Sequence, residues 1–187
     1  EHAQLILDAG SHGITVHQLP DERNSRKSDI PKMSEFLKDK DNIEFNIEGY
    51  PNQRFIDLVL NVKPTQVTLV PDPPDVLTSN AGWDTVNELD FLKPIIKEFK
   101  DQGIRTSIFM ETDEALIKNA ALTGTDRIEL YTGPYAENYS SNPEKAVEKY
   151  AKASLVAKQL GLGVNAGHDL DLNNLKFLKD NLHNLLE

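Results

Sequence analysis

Four ionisable residues stand where a proton could be given or taken: His17, Glu48, Glu129 and His168. Each lies in, at the end of, or just after a short β-branched run. Histidine titrates near neutrality and works in both directions. A carboxylate kept among apolar walls or other acids is held above its usual pKa and acts as a base near pH 7. Brought together, two His and two Glu would form a proton relay without a metal. Simpler roles compete with this one. A lone strand-end His often serves only a local hydrogen bond. Glu48 precedes Gly49-Tyr50-Pro51 and suits the cap of the helix that follows. His17, Glu48 and His168 could also ligate a metal, although no short spacing such as His-x-x-x-His occurs. Glu129 has fewer alternatives, because an inward-facing Glu is rare unless paired. His168 follows Asn165-Ala166-Gly167, small residues that let backbone approach a ligand closely. His2, His12 and His183 fall away from strand ends and read as surface or packing residues, and Trp83 as a loop anchor.

The elements that must position these groups alternate strictly. Strands are expected at Gly13–His17, Ile43–Glu48, Gln66–Pro71, Arg105–Glu111, Arg127–Thr132 and Leu162–Gly167. Helices are expected at Ile30–Lys38, Asn52–Val62, Glu88–Gln102, Glu114–Leu122, Pro143–Leu160 and Leu172–Leu185, with His2–Ala9 as the end of another. Such alternation implies a parallel sheet, doubly wound or closed into a barrel. Residue parity separates the two. Ile14 and Val16 oppose Thr15 and His17, Phe45 and Ile47 oppose Asn46 and Glu48, and Ile128 and Leu130 oppose Arg127 and Glu129. A doubly wound sheet is apolar on both faces, whereas a barrel can hold polar groups inside. The expected fold is therefore α/β, a (β/α)8 TIM barrel spanning residues 1–187 as one incomplete domain. Its second to seventh strands are present and its first and eighth missing, which would leave a single gap because those two are neighbours.

Composition narrows the function. The chain has 187 residues, 39% of them hydrophobic, enough for one domain with a core. Its net charge of -10 argues against nucleic acid as a partner. There is no apolar run of membrane-spanning length and no signal-like N-terminus, and with Cys absent the expectation is a cytoplasmic protein. Pro71-Asp72-Pro73-Pro74-Asp75 and Thr78-Ser79-Asn80-Ala81-Gly82 make one long β–α loop suited to a small anionic ligand. Residue pattern alone thus points to proton transfer on a small metabolite.

Longer strings carry a resemblance. Gly13-Ile14-Thr15-Val16-His17 with Pro20-Asp21-Glu22-Arg23, Phe45-Asn46-Ile47-Glu48-Gly49, and Gln66-Val67-Thr68-Leu69-Val70-Pro71-Asp72 are three of them. Thr78-Ser79-Asn80-Ala81-Gly82-Trp83-Asp84, Arg127-Ile128-Glu129-Leu130-Tyr131-Thr132 and Gly161-Leu162-Gly163-Val164-Asn165-Ala166-Gly167-His168-Asp169-Leu170 complete the set. In this order, over essentially the whole chain, they resemble the pyridoxine 5'-phosphate synthase family. The resemblance implies a (β/α)8 barrel that condenses 1-deoxy-D-xylulose 5-phosphate with 3-amino-2-oxopropyl phosphate, releasing phosphate and water. It implies no metal or organic cofactor, and a homo-oligomer, an octamer of barrel dimers. By position it makes His17 and Glu48 acid–base catalysts, His168 a proton donor and Glu129 an acidic site residue. Thr78 and Asp169 become substrate-contacting positions.

The chain departs from the family where sugar phosphate is bound. After His17 the family usually has an Arg two residues on and a His seven residues on; here Leu19 and Asn24 stand there. Asn24 is thus the substrate-binding candidate at the second position, while Leu offers no charged fork to a phosphate. Arg23 and Arg26 are the nearby candidates to replace it. The family's first-strand Asn-x-Asp-His motif and eighth-strand Gly-His motif have no counterpart. Two alternatives follow: a degenerate, non-catalytic barrel that binds or assembles, or another phosphate-handling barrel enzyme. A Schiff-base aldolase would need a strand-end Lys, which none of the expected strands has.

Overall fold

A computed structural model describes residues 2–18, 28–40, 42–71 and 81–187. The first half of the chain forms α1 (His2–Asp8), β1 (Gly13–His17), α2 (Asp29–Leu37), β2 (Glu44–Gly49), α3 (Gln53–Val62), β3 (Gln66–Leu69) and α4 (Leu89–Asp101). The second half forms β4 (Arg105–Met110), α5 (Glu114–Leu122), β5 (Arg127–Tyr131), α6 (Gly133–Tyr139), α7 (Pro143–Gln159), β6 (Gly163–Gly167) and α8 (Leu175–Asn181). The six strands pair in parallel in the order β1 to β6. Sequential neighbours belong to a barrel, since a doubly wound sheet reverses its order part-way. The sheet is an open, curled part of a (β/α)8 barrel.

Its two faces divide as the alternation requires. On the helix side, Ile47, Val67, Ile108, Ile128 and Val164 are buried with Phe55, Val59, Leu92, Ile96, Ile117 and Tyr150 in one core. Burying each such side chain stabilises by about 1.5–3 kcal/mol. The inner face is polar even where water is excluded: Asn46, Gln66, Thr68, Ser107 and Asn165 are all buried.

Caps set the helix boundaries and remove one alternative. Asn52 Oδ1 accepts from the Phe55 N–H at 3.0 Å, so α3 is capped by Asn52 and not by Glu48. Asp113 caps α5 and Asn142 caps α7 in the same way. Gly103, with φ of +77°, takes the chain out of α4 through the left-handed region that favours glycine. Among the described residues no helix is long and apolar enough to cross a membrane.

Two segments differ from expectation. Helix α6 has no clear sequence signal, because it begins Gly-Pro and has only seven residues. Tertiary packing holds it: Tyr135 is fully buried against Tyr139 and Tyr150, and its hydroxyl donates to Asn174 O at 2.7 Å. The last helix, expected to run to Leu185, ends at Asn181. Leu182, Leu185 and Leu186 mimic helical spacing, but Asn184 is left-handed at φ +57° and turns the chain toward β6. There Leu186 N–H donates to Val164 O at 2.8 Å, and Ala166 N–H to Glu187 O at 2.9 Å. Residues 184–187 thus run parallel to β6, with a bridge between Val164 and Leu185. Across the open side, Gly13 and Glu44 share a cavity of about 530 Å³ with Leu186 and Glu187.

Candidate active site

Strand register decides which side chains meet. Pairing of β1 with β2 sets His17 beside Glu48, and pairing of β5 with β6 sets Glu129 beside Asn165. At the carboxyl ends of these strands lies a cavity of about 320 Å³, lined by Glu48, Glu129 and His168 with Thr15, Asn46 and Asn165. Barrel chemistry belongs at this end. His17 stands beside it, Nδ1 lying 3.9 Å from Glu48 Oε2. His168 is exposed at the rim. Its ring meets Tyr131 edge-on at 5.1 Å and Phe109 at 5.3 Å between centroids.

The two carboxyls are pushed the same way by burial and then separated by each other. Burial lifts Glu48 to about 7, and the charge of Glu187 adds to this; a hydrogen bond from Glu129 opposes it. Glu129 is pushed well above the usual carboxylate range, first by burial and then by the charges of Glu48 and Glu187. Donating its proton to Glu48 raises it further. The pair therefore shares a proton near neutrality, Glu129 holding it and Glu48 ready to accept another. None of the described residues lining the cavity is Lys or Arg, although Arg127 Nη1 reaches Glu187 Oε2 at 3.2 Å. Asn46 steadies the base: its Nδ2 lies 3.5 Å from Glu48 Oε1 and 3.4 Å from Thr15 Oγ1, while Thr68 Oγ1 donates to Asn46 Oδ1 at 3.2 Å. A Cβ on Gly167 would come 2.8 Å from Glu129 Oε1, so glycine leaves the carboxyl its space.

The structure brings Glu48, Glu129 and His168 to one cavity and His17 to its side. Asp169 is exposed next to His168, with φ of +58°, and is not part of the lining. Thr78, Asn24 and Leu19, with Arg23 and Arg26, fall outside the described residues. Trp83 is an anchor: it is buried, its Nε1 donates to Leu69 O at 2.9 Å, and it stacks on Tyr50. Among the described residues no three of His, Asp and Glu are grouped to hold a metal. Thr15, Asn46 and Asn165 were not singled out in the sequence, although their inward parity marks them. Glu187 also lines the cavity, through the tail beside β6, and no sequence signal announces it.

The family model described as "Pyridoxal phosphate biosynthesis protein PdxJ" matches residues 1–187. The chain belongs to that family. Its sequence is 56% identical over 173 residues to pyridoxine 5'-phosphate synthase of Parabacteroides distasonis, covering 92% of this chain and 71% of that one. The corresponding protein of Christiangramia forsetii is 52% identical over 182 residues, 97% of this chain and 75% of that one. Solved structures share the fold alone. Deoxyribose phosphate aldolase from Aeropyrum pernix has a TM-score of 0.61 at 16% identity, over 95% of this chain and 85% of that one. The YdjI aldolase from Escherichia coli K12 has a TM-score of 0.64 at 11% identity, over 92% and 64%. Membership in the PdxJ family agrees with the sequence resemblance, and the shared barrel agrees with the parity of the strands.

Proposed function

We propose that this chain is a pyridoxine 5'-phosphate synthase, condensing 1-deoxy-D-xylulose 5-phosphate with 3-amino-2-oxopropyl phosphate by acid–base catalysis. The observation that carries the reading is the Glu48–Glu129 pair, two carboxyls that share one cavity with His168 at the strand ends and are both held above the usual carboxylate range by burial. Schiff-base formation, enolisation, loss of phosphate and ring closure each move a proton. Such steps need a base and an acid poised near the working pH. Glu48 with His17 beside it is the base, and protonated Glu129 stabilises developing negative charge by donating a hydrogen bond. His168 at the rim is the proton donor. Asp169, Thr78 and Asn24 contact the phosphorylated substrates, and the protein works as a cytoplasmic homo-oligomer, an octamer by family likeness.

The test is formation of pyridoxine 5'-phosphate from the two substrates by the wild-type protein and a Glu48→Gln variant. The variant should lose about 10²–10⁴-fold in turnover while its melting temperature shows an intact fold. No product from the wild type, or equal turnover by the variant, overturns the reading. Leu19 and Asn24, standing where the family usually has Arg and His, favour a second reading: a degenerate, non-catalytic barrel that serves as a binding or assembly module. A folded wild-type protein that neither binds 1-deoxy-D-xylulose 5-phosphate saturably nor forms product would select it.

A further inference from the structure

We propose that Thr132 is a positioning residue for His168, its hydroxyl and N–H holding the turn after β6 in the backbone form that sets where the imidazole stands. This rests on the role of His168 given above. His168 and Asp169 leave β6 with φ of +87° and +58°. Residues other than glycine enter that region only where their surroundings impose it. Two in succession need a definite cause, and the neighbouring strand end supplies it.

Thr132, the first residue after β5, is fully buried. Its N–H donates to Gly167 O at 2.9 Å. Its hydroxyl lies 2.5 Å from the carbonyl oxygens of both Gly167 and His168, one proton shared between two acceptors. On the far side of the turn, Asn174 Nδ2 donates to Asp169 O at 3.1 Å. Asn174 is itself held, its N–H on Asp171 Oδ1 at 3.0 Å and its carbonyl accepting from Tyr135. The turn is thus gripped at both ends by groups anchored on β5, α6 and its own loop. Tyr131, just before Thr132, stands edge-on to the imidazole. One strand end therefore presents Glu129 to the cavity and fixes the turn that carries His168. Losing the hydroxyl frees the His168 carbonyl and lets its φ relax, which swings the ring away.

Thr132→Val keeps the shape and removes the O–H, Thr132→Ser keeps the O–H, and Thr132→Cys is a weaker donor should the Val variant not fold. The expected result is a fall in kcat of about tenfold or more for Val with KM within about twofold, and near wild-type rates for Ser. In a His168→Ala background, Thr132→Val should add less than about a twofold loss, because residues acting through one another are not additive. Ring signals of the five histidines, resolved by NMR in the resting protein, report independently of turnover. The Val variant should shift the His168 signal and the Ser variant should not. Unchanged kcat in Thr132→Val, an equal proportional loss without His168, or an unmoved His168 signal each overturns the inference. Full activity in His168→Ala instead defeats the catalytic role of His168, and the NMR signal then decides whether Thr132 sets its position.

Discussion

Strand β2 carries two glutamates on the same inner face, four residues apart, and they have opposite acidity. Glu44 lies at the amino end, where Arg105 hydrogen-bonds its carboxylate and holds it below the usual range. Arg105 also donates from Nε to Gln66 Oε1 at 2.8 Å, and Arg127 stands near enough to lower Glu44 further. Glu48 lies at the carboxyl end, where burial and the charge of Glu187 raise it to about 7. One end of the barrel interior matches each acid to a cation and gains cohesion. The other leaves its acids with each other, which costs stability and provides a base. The same residue type becomes brace or catalyst according to what the neighbouring strands bring.

This contrast can be broken at either end. The largest effect is expected for Glu129→Gln, which removes the shared proton: turnover should fall by about 10²–10⁴-fold, against little change for Glu44→Gln in the same assay. Next, Arg105→Leu leaves the buried Gln66 acceptor and Glu44 without their donor. Denaturant unfolding should show a loss of about 1–3 kcal/mol, with the rate per folded molecule kept. The two glutamates should also give opposite pH dependences of stability. Glu44 binds protons less tightly when folded than its ordinary 4.5, so its contribution is present above that pH and is lost as pH falls through the folded value. Glu48 binds them more tightly when folded, so stability should decline as pH rises from 4.5 to about 7, by about 1–3 kcal/mol. Melting curves across pH 3–8 (roughly the span over which carboxylates titrate) should show a weaker second arm in Glu48→Gln, where Glu129 still contributes, and a weaker acid arm in Glu44→Gln, where Asp126 still contributes. Smallest, Gly167→Ala crowds the Glu129 carboxyl. It should lower turnover about tenfold with little loss of stability, a pairing that a misfolded variant would not show.

Much of this is legible in the sequence. The limits of β1 and α5 agree with those expected from sequence residue for residue, and the other strands differ by one or two residues at their ends. Parity placed Glu48 and Glu129 inside because side-chain direction along a strand repeats every two residues, a property the chain carries locally. Helix α6 and the tail beside β6 were not legible. Both depend on distant partners, Tyr150 and Asn174 for the first and Val164 for the second. The contacts of Thr132 are hidden for the same reason, since its acceptors are 35 and 36 residues away.

The sequence by itself determined the barrel class, the inward set of acids and histidines, and the family. Only the tertiary structure decided what those acids are. Glu44 and Glu48 have the same parity on one strand, and nothing within β2 distinguishes their proton affinities. Arg105, 61 residues from Glu44, and, around Glu48, burial and the charge of Glu187 make the difference. Acidity depends on charge and water within a few ångströms, and those neighbours come from strands that only folding brings together.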